Sequence, residues 1–273
     1  MHKRILSALV GVMFLLVILL FDQTFHWIIN LVTSLIAVLA IKEIFSVVGM
    51  LRSYEVMLPT LLFAFLLPLV SFSDLGLELI CYSYTALIFC VLMINKNLKI
   101  KNVLVVYALS IIVSYSLLKI VQLRSFGGKY GSFYLVIALT IAWMSDTGAY
   151  FFGKFFGRNK LCPEISPKKT IEGFIGGILT CLVFVVLISF LFNNYLFAEK
   201  QQINYFYVLL LGLSGSILSC LGDLCFSMVK RRYNVKDFGN LMPGHGGILD
   251  RFDSVIFVVP YVYIFLKFVK IIF

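Results

Sequence analysis

Apolar runs long enough to cross a bilayer recur along nearly the whole chain, and they constrain its fold more than any other feature. A spanning helix needs roughly 17–25 apolar residues. Such runs lie near 5–21, 27–48, 56–72, 78–94, 103–122, 133–152, 174–192, 205–229 and 253–272. The expected fold is therefore an all-α polytopic membrane protein with about nine transmembrane helices. Of the 273 residues, 61% are hydrophobic and 13% charged, whereas a soluble domain carries about 25% charge. The third and fourth runs are the weakest, because Pro59, Pro68 and the Ser71–Ser73 region interrupt them. The basic, then apolar, N-terminus reads as an uncleaved first span. Phe21-Asp22-Gln23 stands where a signal peptide would carry small residues for cleavage.

Charge then sets the expected orientation. With nine spans, 17 of the 23 lysines and arginines fall on the side of the N-terminus. The positive-inside rule makes that side cytoplasmic. The two longest loops there are 153–173 and 230–252. Residues 1–130 hold no comparable polar cluster and no mid-span acid, so they read as a transmembrane scaffold. Residues 131–273 read as the catalytic region.

The net charge of +10 is spread over short loops. That pattern suits anionic lipid head groups and a polyanionic substrate rather than nucleic acid. The six cysteines are scattered, with neither a disulfide framework nor zinc spacing. They read as small apolar fillers.

Three constellations carry chemistry. In the first, Ser145-Asp146-Thr147-Gly148-Ala149-Tyr150 ends the sixth span, and Asp146 follows an apolar run. An acid there is costly unless it works or hydrates at the surface, and both readings stand. In the second, Ser166-Pro167-Lys168-Lys169-Thr170-Ile171-Glu172-Gly173 precedes the seventh span. Its lysines suit phosphate, and Thr170 is a candidate helix N-cap, with Gly173, Gly176 and Gly177 allowing close packing. The alternative is a plain cytoplasmic anchor.

The third constellation runs from the eighth span into the ninth. Ser219, Asp223 and Ser227 share one helix face by their spacing. The stretch from Ser227 to Asp253 then mixes charges of both signs: Lys230, Arg231, Arg232, Lys236, Asp237, Asp250, Arg251 and Asp253. A Pro-Gly-His-Gly-Gly run, Pro243 to Gly247, interrupts it. Asp223 reads either as a metal ligand or as one half of an ion pair, for example with Arg251. Asp250 and Asp253 are three residues apart at the start of the ninth span and can face one way. His245, between glycines, reads as a substrate contact. Together these groups suit phosphoryl or nucleotidyl transfer at a membrane surface, which needs positioning and charge neutralisation more than a nucleophilic side chain.

The run Ser227-x-x-Lys230-Arg231-x4-Lys236-Asp237-x5-Pro243-Gly244-His245-Gly246-Gly247-x2-Asp250-Arg251-x-Asp253 resembles the signature of the CDP-diacylglycerol synthase, or phosphatidate cytidylyltransferase, family. The segments around Asp146 and Tyr150, Ser166 to Gly173, and Gly222-Asp223-Leu224-x-x-Ser227 match it too. The similarity covers roughly residues 140–254.

The resemblance implies a bacterial inner-membrane enzyme with a cytoplasmic active site. It would condense CTP with phosphatidic acid to give CDP-diacylglycerol and pyrophosphate. It also implies Mg2+, with a monovalent cation such as K+ nearby, and a homodimer. Carried over, Asp223 and Asp250 become metal-binding carboxylates. Lys168, Lys169, Lys230, Arg231, Lys236 and Arg251 become phosphate-facing. Asp146, Tyr150, Ser166, Thr170, Ser227, Asp237, His245, Gly246 and Asp253 complete the substrate site. Among rival readings, a transporter predicts intramembrane acids in both halves. A CDP-alcohol phosphotransferase would carry a DG-x2-AR-x8-G-x3-D-x3-D pattern, which this chain lacks. A CTP-dependent lipid kinase of the dolichol-kinase kind is the nearer alternative.

Overall fold

A computed structural model describes residues 27–71, 73–197, 201–240 and 246–273. Helices account for most of them: α1 (Trp27–Val48), α2 (Tyr54–Leu69), α3 (Asp74–Ile94), α4 (Ile100–Phe126), α5 (Gly131–Phe156), α6 (Ile171–Leu191), α7 (Tyr205–Arg232) and α8 (Leu249–Phe268). Each falls on one of the apolar runs. The first run, near 5–21, lies outside the described residues.

Among the described residues, six helical segments are long and apolar enough to cross a membrane: Trp27–Val48, Asp74–Ile94, Ile100–Phe126, Gly128–Phe156, Ile171–Leu196 and Tyr205–Arg232. The chain is thus an integral, multi-pass membrane protein. Helix α2 has 16 residues, a length of about 24 Å against a hydrocarbon core of about 30 Å. Helix α8 carries Asp250, Arg251 and Asp253 at its start and Lys267 at its end.

The chain divides into two compact units, Met1–Gln122 with Tyr233–Phe252, and Leu123–Arg232 with Asp253–Phe273. In the first, α2 ends at Leu69, just after Pro68, and the last carbonyls of a helix have no intrahelical donor. The carboxamide of Asn30 donates to the Pro68 carbonyl at 3.0 Å and to Ser71 Oγ at 3.3 Å, which satisfies one of those carbonyls. Ser73 then caps α3 by accepting from Gly76 N at 3.1 Å. Tyr84 is buried, stacks on Phe63 with ring centroids 4.2 Å apart, and shares a 2.7 Å hydrogen bond with Ser110 Oγ. A buried tyrosine is tolerated when its hydroxyl finds such a partner.

In the second unit, small residues bring α5 and α6 together. A Cβ on Gly177 would lie 2.6 Å from Ser145 O, and one on Gly173 would lie 2.7 Å from Ala149 O. In a membrane, where lipid is as apolar as leucine, such close backbone approach supplies the packing attraction between helices.

The segment expected as a plain loop, 153–173, is more ordered than its sequence suggests. Helix α5 continues to Phe156, and an antiparallel hairpin follows, β1 (Lys160–Cys162) with β2 (Ser166–Thr170). Glu172 accepts hydrogen bonds from Arg158 N, Asn159 N and Asn159 Nδ2 at 2.9–3.2 Å and so fixes the hairpin's base. Thr170 is the N-cap of α6, as its position predicts, accepting from Gly173 N at 3.1 Å.

Candidate active site

The hairpin, α5, α6 and α7 enclose a cavity of about 540 Å³ in the second unit. Strand β2 contributes Ser166, Lys168, Lys169 and Thr170, helix α5 contributes Asp146 and Tyr150, and helix α7 contributes Asp223. These predicted residues come from segments up to 77 positions apart, so the cavity is a product of the fold and not of one motif. Its remaining wall is largely apolar and includes Leu161, Phe174 and Ile178. A lining that mixes charged groups with apolar side chains suits a ligand with an anionic head and a greasy tail.

Lys169 and Asp223 are the electrostatic centre. Lys169 Nζ lies 2.7 Å from Asp223 Oδ2 and 3.5 Å from the Cys220 carbonyl. Burial pulls the Lys169 ammonium down, but the Asp223 carboxylate and the other acceptors around it outweigh that. The net position is above the usual lysine range, so Lys169 is a cation at neutral pH. Asp223 Oδ1 accepts from Ser227 Oγ, one turn along α7, at 3.1 Å.

Asp146 is held by two hydroxyls. Ser254 Oγ donates to its Oδ2 at 2.7 Å, and Ser219 Oγ reaches its Oδ1 at 3.4 Å. The predicted face of Ser219, Asp223 and Ser227 is therefore a stripe of acceptors and donors that meets α5.

Four further predicted residues of this unit stand outside the cavity lining. Asp253 is buried, accepts from its neighbour Ser254 N at 2.8 Å, and lies within electrostatic reach of Asp223, Asp146 and Lys230. Lys230 is buried near the end of α7, where Ser227 also sits. Arg231 Nε donates to the Ile165 carbonyl at 3.4 Å and so touches the turn of the hairpin.

The other predicted residues belong to the first unit. Lys236, Asp237 and Arg251 are exposed, and Gly246 adopts φ +81°, a left-handed conformation that favours glycine. Asp250 Oδ2 accepts from Phe238 N at 2.8 Å and Gly247 N at 3.0 Å. His245 lies outside the described residues.

Among the described residues, no three histidine, cysteine or acidic side chains converge on one point that would cage an ion. Magnesium does not require such a cage. It takes one or two carboxylates, keeps waters and shares substrate phosphates. A carboxylate offers about four acceptor positions, and Asp223 and Asp250 are both oxygen donors of the type magnesium takes. Each is a fitting donor for magnesium of this open kind.

Glu43 qualifies the expectation that residues 1–130 hold no mid-span acid, since it lies only five residues before the end of α1. It stands inside α1, is buried, and accepts from Ile248 N and Leu249 N. The signal in the sequence is a single acid in the apolar stretch from Ala37 to Val48, which is costly unless its oxygens are satisfied. Ser254, the donor to Asp146, also escapes sequence reasoning, since nothing local marks it.

The sequence profile of the cytidylyltransferase family matches residues 2–269. The phosphatidate cytidylyltransferase of Bacillus subtilis (strain 168) is 49% identical over 138 residues, 50% of this chain and 49% of that protein. The protein of the same name from Staphylococcus haemolyticus (strain JCSC1435) is 47% identical over 130 residues, 48% of this chain and 47% of that one. That of Staphylococcus aureus (strain COL) is 49% identical over 130 residues, with the same coverage. The chain spans about half the length of the curated relatives it matches. With a match that runs from residue 2 to residue 269, this chain belongs to the cytidylyltransferase family.

Proposed function

We propose that this protein transfers the cytidylyl group of CTP to phosphatidic acid, giving CDP-diacylglycerol and pyrophosphate. The observation that carries the reading is the Lys169–Asp223 pair beside Lys168, in a cavity otherwise lined largely by apolar groups. The names of the relatives support the same substrates.

In the proposed reaction, a phosphate oxygen of phosphatidic acid attacks the α-phosphorus of CTP. The bond from that phosphorus to the bridging oxygen of the β-phosphate breaks, and pyrophosphate leaves with the electron pair. The phosphate is already an anion and needs little base catalysis. Lys168 and Lys169 face the phosphates from β2, and Lys230, Arg231, Lys236 and Arg251 add positive charge. Asp223 keeps Lys169 charged and aimed before substrate arrives, so less reorganisation is needed during reaction. Asp146, Tyr150, Ser166, Thr170, Ser227, Asp237, His245, Gly246 and Asp253 complete the proposed substrate site.

Asp223 and Asp250 would hold magnesium, which when bound offsets repulsion among the phosphates. A monovalent cation such as potassium is proposed beside it. The proposal extends to nine spans, a cytoplasmic N-terminus and active site, the bacterial inner membrane and a homodimer. Residues 1–130 would serve mainly as scaffold and 131–273 as the catalytic region.

The test uses purified protein in detergent with phosphatidic acid, magnesium and CTP labelled at the α-phosphate. Label is expected in the lipid phase, and EDTA or Asp250→Asn should remove it. No labelled lipid from the wild type, with phosphate passing from γ-labelled CTP to a lipid alcohol, would make the protein a CTP-dependent lipid kinase.

A further inference from the structure

Glu43 is an acid for which the proposed reaction has no direct use. It stands five residues before the end of α1 and is 7% exposed. Both of its oxygens are engaged at the start of α8: Ile248 N donates to Oε1 and Leu249 N to Oε2, each at 2.9 Å. The first N–H groups of a helix have no intrahelical acceptor. A nearby serine, threonine or aspartate usually accepts from them. Here the acceptor lies 205 positions away in sequence, on another helix.

The surrounding turn is shaped to admit this carboxylate. A Cβ on Gly239 would lie 2.6 Å from Glu43 Oε1, and one on Gly247 would press on the same carboxylate. Asp250 closes the turn from within, through its bonds from Phe238 N and Gly247 N. The two acids thus hold backbone donors in and beside a single turn.

We propose that Glu43 is a positioning residue that clamps the 246–250 turn and so sets the placement of Asp250. What Asp250 then does, holding magnesium against the phosphates, rests on the function proposed above, but the clamp itself does not. The loss of the Glu43 charge leaves the turn intact in composition and loosens it in position.

Glu43→Gln is nearly the same size, yet its carboxamide offers one acceptor oxygen where two N–H groups need one each. Hydrogen–deuterium exchange of the amides from Gly246 to Arg251, in full-length protein in detergent, should be about tenfold faster, the effect of losing one buried acceptor. The magnesium concentration for half-maximal label transfer should rise several-fold, whereas a merely structural role would lower the active fraction and leave that midpoint in place. Gly239→Ala, which crowds the carboxylate from the far side, should shift both readouts in the same direction and decides the matter if Glu43→Gln does not fold. Unchanged exchange at 246–251 in either folded variant overturns the proposal. Wild-type protein that transfers no label overturns the reaction instead, and the exchange result still judges the clamp.

Discussion

Asp223 and Glu43 are both acids within long apolar helices, and they are satisfied in opposite ways. Asp223 faces the ammonium of Lys169 at 2.7 Å, in a cavity open to ligand. Glu43 faces backbone N–H groups at 2.9 Å, with glycines packed against it. A side-chain partner can swing to a phosphate when substrate binds, and it leaves the acid available in turn. Peptide donors at a helix start are fixed to the backbone and cannot swing away as a side chain can. The contrast separates a site built to exchange partners from one built to keep them.

The largest expected effect breaks the exchangeable partner. Asp223→Asn should lower label transfer from CTP to lipid by at least about 10³-fold, in the upper range for loss of a preorganised charge at a reaction centre. Elution in detergent should match wild type, and melting should fall by only a few degrees, from the loss of the Lys169 partner. A variant that keeps activity would remove Asp223 from the reaction.

Next is a double-variant cycle on the pair. Lys169→Met alone leaves Asp223 half-buried without its cation, and Asp223→Asn alone leaves Lys169 without its anion. The pair is roughly one-quarter exposed, so solvent screens it and the coupling should be about 1–2 kcal/mol, below the range for a fully buried pair. The double variant should melt higher than the sum of the single losses predicts, while staying inactive. Strict additivity in thermal unfolding would mean that the two charges do not support each other. No such compensation is available to Glu43, whose described partners are backbone groups.

The alkaline limb of stability sharpens the same point. Lys169 sits above its usual value in the folded protein, so its contribution is fully present below the unfolded lysine value. It is lost only as pH rises through the higher folded value. Asp223→Asn removes the largest influence holding it up and leaves burial, which pulls it down. The loss of stability should then begin at lower pH, as a melting series from neutral to strongly alkaline pH would show. A limb that does not move would place the source of the shift elsewhere.

Much of this architecture is legible in the sequence, because hydropathy summed over about twenty residues outweighs local propensity in a bilayer protein. Every helix from α1 to α8 lies on an apolar run, and Pro68 with Ser73 marks the break between α2 and α3. The hairpin is not legible there. Strands of three and five residues show no usable alternation, and their lysines read equally well as a loop. Among the candidate site residues, the second constellation and Asp223 can be named from residue type and spacing. Their union in one cavity cannot, since Lys169 and Asp223 are brought together by packing of the hairpin on α7. Glu43 is marked in the sequence as a lone acid in an apolar stretch, but its partners are hidden, as they lie 205 and 206 positions away.

The smallest expected effect concerns Glu172, the hairpin's counterpart to Glu43. It too accepts backbone N–H groups, from Arg158 and Asn159, but it is only partly buried. Water can replace it there, so Glu172→Ala should leave the melting temperature nearly unchanged. Its effect on turnover should be larger than that on stability, because the hairpin carries Lys168 and Lys169. A several-fold loss of kcat/KM for CTP at unchanged melting temperature is the expected outcome, read by the same label transfer. If Glu172→Ala instead unfolds the protein while leaving the residual turnover per folded molecule intact, the hairpin is a structural brace. The placement of its lysines would then depend on Thr170 and the glycine contacts of α6 rather than on the bonds at its base.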